Sequence, residues 1–161
     1  MQKKILGLAI TTLIIDQLFK ILVEINLVLG ESVKIIGNFF TLNYANNYGA
    51  AWSLFSNQLV FLILVSLVAL FFIFRYINTF KANARNNLAF GLLIGGIAGN
   101  LLDRVFLGYV RDFLAFKIFN YHFPIFNISD MAIVFGVFLL MIAMIKGEDN
   151  GNSSRRKSAK N

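Results

Sequence analysis

Leu88-Ala-Phe-Gly-Leu-Leu-Ile-Gly-Gly-Ile-Ala-Gly-Asn-Leu-Leu-Asp-Arg-Val-Phe-Leu107 is the stretch on which the fold turns. It carries no charge before Asp103, and its length matches the roughly 20 apolar residues that carry a helix across a bilayer. Gly91, Gly95 and Gly99 recur at four-residue steps and so share one helix face. Small residues at that spacing let a second helix come close, the usual packing device inside a membrane. Asn100, Asp103 and Arg104 follow where the helix reaches a membrane surface, either as plain interface anchors or as groups that hold a neighbouring segment in place.

Three more runs of similar length flank this one: about Ile5 to Leu29, Leu59 to Ile77, and Ile128 to Ile145. Backbone polar groups in lipid must be satisfied within their own segment, so each run reads as a helix. The 161-residue chain is 58% hydrophobic and 14% charged, with a mean hydropathy of +0.70, which suits one compact multi-pass membrane domain. The expected division is a membrane domain over 1–146 and a disordered basic tail over 147–161, the latter rich in Asn, Ser, Lys and Arg.

The net charge of +7 does not point to nucleic acid, because of where the charges fall. Basic residues gather at Lys3 and Lys4, at Arg75, Lys81 and Arg85, and at Lys146 with Arg155, Arg156, Lys157 and Lys160. That distribution follows the positive-inside rule and places both termini and the 75–85 loop in the cytoplasm. The first run begins like a signal peptide, but Asp16, Lys20 and Glu24 enter it and no small-residue cleavage site closes it. It is read as a retained helix. With no cysteine, and His122 as the only histidine, thiolate chemistry and a His-rich metal site are excluded.

Two outer segments remain, about Gly30 to Gln58 and Gly108 to Asn127. The part Gly37-Asn-Phe-Phe-Thr-Leu-Asn-Tyr-Ala45 has the β-branched and aromatic content of short strands. Phe39, Phe40, Tyr44, Tyr48 and Trp52, with Tyr109, Phe113, Phe116, Phe119, Tyr121 and Phe123 in the second segment, suit a headgroup interface. The expected fold is an all-α polytopic membrane protein, with four transmembrane helices and a small strand platform on the outer membrane face.

Asp112 and Asp130 border the ends of the third and fourth runs, 18 residues apart, and consecutive antiparallel helices return both to one level. Two adjacent carboxylates cannot both ionise cheaply and come to share one proton. The ionised member can then activate water, while the protonated member polarises a carbonyl and later protonates a leaving amine. The plainer alternative stands beside this: Asp130 caps the fourth helix, and Asp112 pairs with Arg111 or Lys117 on a wet surface. Asp16 and Lys20, at i and i+4, can form an intrahelical ion pair, with Glu24 a turn further along the stripe; a polar strip facing a cavity is the other reading. Asn46-Asn-Tyr-Gly49 reads as a turn. Ser129 with His122 is too bare a couple to make a triad.

Five motifs occur in one order: Asp16-xxx-Lys20, Asn47-x-Gly-Ala-Ala51, Gly95-Gly-x-Ala-Gly-Asn-x-x-Asp-Arg104, Gly108-x-Val-x-Asp-Phe113 and Phe126-Asn-x-x-Asp130. In this the chain resembles the lipoprotein signal peptidase (signal peptidase II) family of bacterial cell membranes, from the first helix to the fourth. The resemblance implies an aspartyl endopeptidase that removes signal peptides from diacylglyceryl-modified prolipoproteins, cutting on the N-terminal side of the lipidated cysteine. It implies a four-helix fold with an outer β-cradle, and Asp112 and Asp130 as the catalytic pair. Asp16, Lys20, Asn47, Gly49, Asn100, Asp103, Arg104 and Asn127 match supporting or substrate-contacting positions. The expected partners are the lipidated precursor and membrane lipids, with no nucleic acid and no cofactor, and the expected state is a monomer. Two positions depart from the family pattern: Asn46 stands where many members have Arg, and Ser129 stands where Ala is usual.

Two other classes compete. A small transporter or channel subunit would spread its charges through the bilayer depth, whereas four of these motifs cluster toward one face. A presenilin-type protease would carry Gly-x-Gly-Asp, which the chain lacks.

Overall fold

The computed structural model describes residues 2–50 and 54–150. Four long helices dominate it: α1 (Gln2–Asn26), α2 (Leu59–Tyr76), α3 (Ala84–Leu107) and α4 (Ile128–Ile145). All four are long and apolar enough to cross a membrane. Between them lie the strands β1 (Ser32–Ile36), β2 (Phe40–Asn47), β3 (Val110–Ile118) and β4 (Tyr121–His122), paired antiparallel in the order β1-β2-β3-β4. Every strand falls between α1 and α2 or between α3 and α4, so the sheet sits at one end of the bundle.

α3 is the central helix, and its glycines explain why. A Cβ on Gly95 would lie 2.6 Å from the Ala9 carbonyl and from the Thr12 Cβ of α1, and one on Gly99 would lie 2.6 Å from Asp16 Oδ2. On its other side, a Cβ at Gly96 would come within 2.6 Å of the Ser129 carbonyl of α4. Glycine thus brings α1 and α4 against the α3 backbone. α3 starts a turn before the apolar run because the Asn83 side chain caps it, accepting from the Asn86 N–H at 2.8 Å. It ends at Gly108, whose φ of 83° turns the chain into β3.

The bundle is polar inside and apolar outside. Asp16, Lys20, Asn100, Asp103, Asn127 and Ser129 are buried, whereas Ile10, Leu18, Phe71, Val134 and Ile145 are exposed. That inversion is what a lipid solvent favours. β2 takes up most of the expected strand segment, Gly37 to Phe39 form a turn, and β1 lies before it, starting at Ser32. β3 is longer than an aromatic belt requires, because β2 pairs along it from Phe40↔Phe116 to Asn47↔Val110. Past Lys146, where the sequence suggests a tail, Glu148–Asn150 form a 3-10 turn, and the Glu148 carboxylate accepts from Arg85, Asn83 and Asn86. The expected tail over 151–161 and Trp52 lie outside the described residues.

Candidate active site

Asp112 lies on β3 opposite Ala45, and Asp130 lies in the first turn of α4. What joins them is the segment just before α4. The N–H groups of Phe113 and Leu114 both donate to the Phe126 carbonyl, at 3.0 and 2.8 Å, and the Phe126 N–H returns to the Leu114 carbonyl at 3.1 Å. This pins the start of α4 against β3, so Asn127 stands between the two carboxylates.

Asn127 is the hub. Its Nδ2 donates to Asp112 Oδ1 at 2.6 Å and to Asn100 Oδ1 at 3.1 Å, and its own N–H donates to Asp130 Oδ2 at 3.1 Å. Its Oδ1 accepts from the Asp130 N–H at 2.9 Å, which completes a capping box at the head of α4. Asp130 does cap its helix, as the plainer reading expects, but its Oδ1 also receives Asn100 Nδ2 at 2.7 Å. Asp112 Oδ2 takes Asn47 Nδ2 at 2.8 Å, and Asn47 is held in turn by the Gly49 N–H at 2.9 Å. The wet-surface alternative for Asp112 does not hold: its residue is 2% exposed, and Arg111 reaches elsewhere.

Burial pushes the Asp112 carboxyl up from 3.8 to about 7; the neighbouring Asp130 charge adds to the rise, and the Asn47 and Asn127 hydrogen bonds oppose it. This pattern fits two like charges in a confined place, where one proton is retained.

Below the pair lies a lysine with no free donor. Lys20 Nζ meets Asp16 Oδ2 at 2.8 Å, Asn100 Oδ1 at 3.1 Å and Asp103 Oδ2 at 3.3 Å, and its residue is fully buried. The intrahelical Asp16–Lys20 pair therefore forms, and it also faces inward as the polar strip. Asp16 Oδ1 additionally accepts the Ser129 N–H at 2.8 Å, tying α1 to α4. Breaking such a buried pair by removing one member costs about 3–5 kcal/mol, because it leaves an uncompensated charge. Ser129 itself is buried, and its hydroxyl has no hydrogen-bond partner among the described residues.

Both carboxylates line a cavity of about 1020 Å³. Asn46, Asn47, Asn100 and Arg104 supply its polar wall, and Phe116, Phe126, Met131, Val134 and Phe135 its apolar wall. Arg104 Nη2 donates to the Gly49 carbonyl at 3.0 Å, so α3 holds the turn after β2 against the cavity. The Phe116 ring stacks on Phe40 at 4.7 Å and on Phe126 at 5.7 Å, stiffening the strand side. All ten residues singled out from the sequence thus come together around one cavity or in the ion cluster beneath it. Sequence reasoning missed Gln17 and Arg111, which join that cluster: Gln17 Nε2 donates to Asp103 Oδ1 at 3.0 Å, and Arg111 Nη2 to the same oxygen at 2.8 Å. Arg111 was visible only as a charge beside Asp112, and its direction depends on which side of β3 the helices cover.

Residues 8–146 match the family described as Signal peptidase (SPase) II. The lipoprotein signal peptidase of Staphylococcus aureus (strain bovine RF122 / ET3-1) is 35% identical over 144 residues, covering 89% of this chain and 88% of that protein. The lipoprotein signal peptidase of Staphylococcus aureus (strain MRSA252) is 34% identical over the same length. A bacterial membrane enzyme solved by the in meso method at 2.3 Å resolution superposes with a TM-score of 0.81 at 34% identity, covering 91% of this chain and 89% of that one. A second such structure, at 1.9 Å resolution, gives a TM-score of 0.79 at 34% identity, covering 91% of this chain and 94% of that one. This four-helix membrane protein belongs to the signal peptidase II family and is a protease.

Proposed function

We propose that the protein is an aspartyl endopeptidase that cleaves diacylglyceryl-modified prolipoproteins on the N-terminal side of the lipidated cysteine. Asp112 and Asp130 carry the reaction. The observation behind this is one cavity holding two carboxylates that share the Asn127 side as their common donor.

Asp112, the more buried of the two and raised to about 7, holds the shared proton in the resting enzyme. Asp130, fixed by Asn100 and by the capping box, is the base. It takes a proton from water as the water oxygen attacks the scissile carbonyl carbon, while Asp112 donates its hydrogen bond to the carbonyl oxygen. Collapse of the tetrahedral intermediate breaks the C–N bond, and the proton gained by Asp130 passes to the leaving amine. Arg104 and Asn47 sit on the same wall and are placed to hold the substrate backbone or the headgroup ester. The lining residues Met131, Val134 and Phe135 are also exposed on the outside of α4, so the substrate enters from the bilayer side.

The sheet end of the bundle, with the cavity, faces outward from a bacterial cell membrane, and both termini are cytoplasmic. The basic residues Lys3, Lys4, Arg75, Lys81, Arg85 and Lys146 all belong to the opposite end, which supports this orientation. Residues 1–146 act as one peptidase domain, monomeric.

Two acyl chains hold the substrate at membrane depth, since each buried methylene contributes about 0.8 kcal/mol. Lipidated precursor should therefore be cleaved with a far higher kcat/KM than its unlipidated form in the same nanodisc. Equal values would leave a general signal-peptide hydrolase as the better description.

A further inference from the structure

We propose that Arg111 is a positioning residue that sets the spacing of the two carboxylates by clamping β3 to α3. The inference rests on the reading of Asp112 and Asp130 as the reacting pair.

Arg111 precedes Asp112 on β3, and neighbouring strand residues face opposite sides. Asp112 turns to the cavity, while Arg111 turns to α1 and α3 and is 6% exposed. Asp103 Oδ2 accepts the Arg111 backbone N–H at 3.0 Å and its Nε at 3.3 Å, and Asp103 Oδ1 accepts Nη2 at 2.8 Å. The guanidinium thus grips the carboxylate side-on through Nε and Nη2, and the main chain adds a third bond. Its remaining reach is spent on Glu24 Oε2, at 2.7 Å from Nη1, and Gln17 Oε1, at 2.8 Å from Nη2.

Asp103 and Asn100 lie three residues apart, on one face of α3. Asn100 holds Asp130 directly, while Asp103 holds Asp112 through Arg111 and one peptide unit. α3 is therefore a fixed frame on which both carboxylates are mounted, one through each residue. Lys20 bridges Asn100 and Asp103 and keeps the two mounting points together. A lysine at position 111 would keep the charge but not the planar two-point grip. Misplacing a reacting group by about 1 Å can cost on the order of 10²-fold in rate. Substrate binding, which uses the other side of β3, is untouched.

The test uses the full-length protein in nanodiscs with a diacylglyceryl-modified prolipoprotein, measuring kcat and KM separately. Arg111→Met should lose about 10²-fold in kcat with KM within about two-fold, and Arg111→Lys should recover part of that loss. Lys117→Met removes a positive charge from the same strand but not the clamp, and should keep kcat within about two-fold. If Arg111→Met does not fold, Arg111→Lys decides alone: about 10-fold lower kcat at unchanged KM supports the clamp. Wild-type kcat in a folded Arg111 variant, a rise in KM with kcat intact, or an equal loss in Lys117→Met would overturn it. Failure of the wild-type protein to cleave would instead sink the reading of the pair itself, and this inference with it.

Discussion

Replacing Asn47 by Leu should move the alkaline limb of activity to higher pH. Asn47 Nδ2 donates to Asp112 Oδ2 at 2.8 Å, and that bond favours the ionised carboxylate. A hydrogen bond to a charged group is worth about 1.5–3 kcal/mol. At about 1.36 kcal/mol per pKa unit, its loss lets Asp112 rise by roughly one to two units from about 7. Leucine keeps the branched shape of asparagine, and although the Gly49 N–H loses its acceptor, Arg104 still holds the Gly49 carbonyl and with it the turn. In the wild-type enzyme, kcat/KM should fall as pH passes about 7, when the pair loses its shared proton. In Asn47→Leu the fall should come roughly one to two units later, on a profile lowered in height because Asp112 is less firmly held. The assay is cleavage of a fluorogenic lipopeptide in detergent from about pH 5 to pH 9.5, reading kcat/KM so that the limb belongs to the free enzyme. A limb that stays in place, or moves to lower pH, would refute the claim that Asp112 carries the proton.

Asp112 also leaves a mark on stability. A carboxyl raised from 3.8 to about 7 binds its proton more tightly in the folded state, so its contribution is complete below 3.8 and is lost as pH rises through about 7. Asp112→Asn should thus denature at a higher temperature than wild type at pH ~8 and show no such gain at pH ~4, the difference being worth up to about 4 kcal/mol. Lys20→Met leaves Asp16 in the core without its cation, while Asp103 keeps Arg111, and should cost about 3–5 kcal/mol, seen as a large drop in thermal midpoint; an unchanged midpoint would argue that the ion cluster is not a buried tie. A cysteine placed at Ala82, in a chain that has no other, should resist an impermeant external thiol reagent in intact cells. Ready labelling would invert the proposed topology.

Helix count and most helix ends were legible because hydropathy largely dictates them in lipid, although α1 runs Gln2–Asn26 rather than from about Ile5 to Leu29. The Leu59 and Ile128 starts and the Leu107 and Ile145 ends fall where the apolar runs stop. The start of α3 was not, because Arg85, Asn86 and Asn87 are polar and enter the helix behind an Asn83 cap that hydropathy does not see. Asp112 and Asp130 were legible as charges beside apolar runs and Asn100 as an amide at a helix end, whereas Asn47 read only as part of a turn and Asn127 came with the family resemblance. Arg111 entered only in the plainer alternative for Asp112, as one of two surface partners beside Lys117, a natural guess from adjacency. Strand geometry sends the two side chains to opposite faces, and only tertiary packing shows that α1 and α3 cover the Arg111 face. Glu148 escaped for a similar reason: a polar, Asn-rich segment resembles a tail until Arg85, Asn83 and Asn86 are seen to converge on it.

The proposed roles of Asp112 and Asp130 as acid and base of a lipoprotein-processing protease are open to direct measurement. The most direct measurement incubates purified wild-type, Asp112→Asn and Asp130→Asn proteins with a diacylglyceryl-modified prolipoprotein in nanodiscs and quantifies the released signal peptide. Each asparagine keeps the side-chain shape but cannot titrate, so each variant should insert and fold normally yet lose at least about 10²–10⁴-fold in cleavage rate. Near wild-type release of signal peptide by either folded variant would contradict the account.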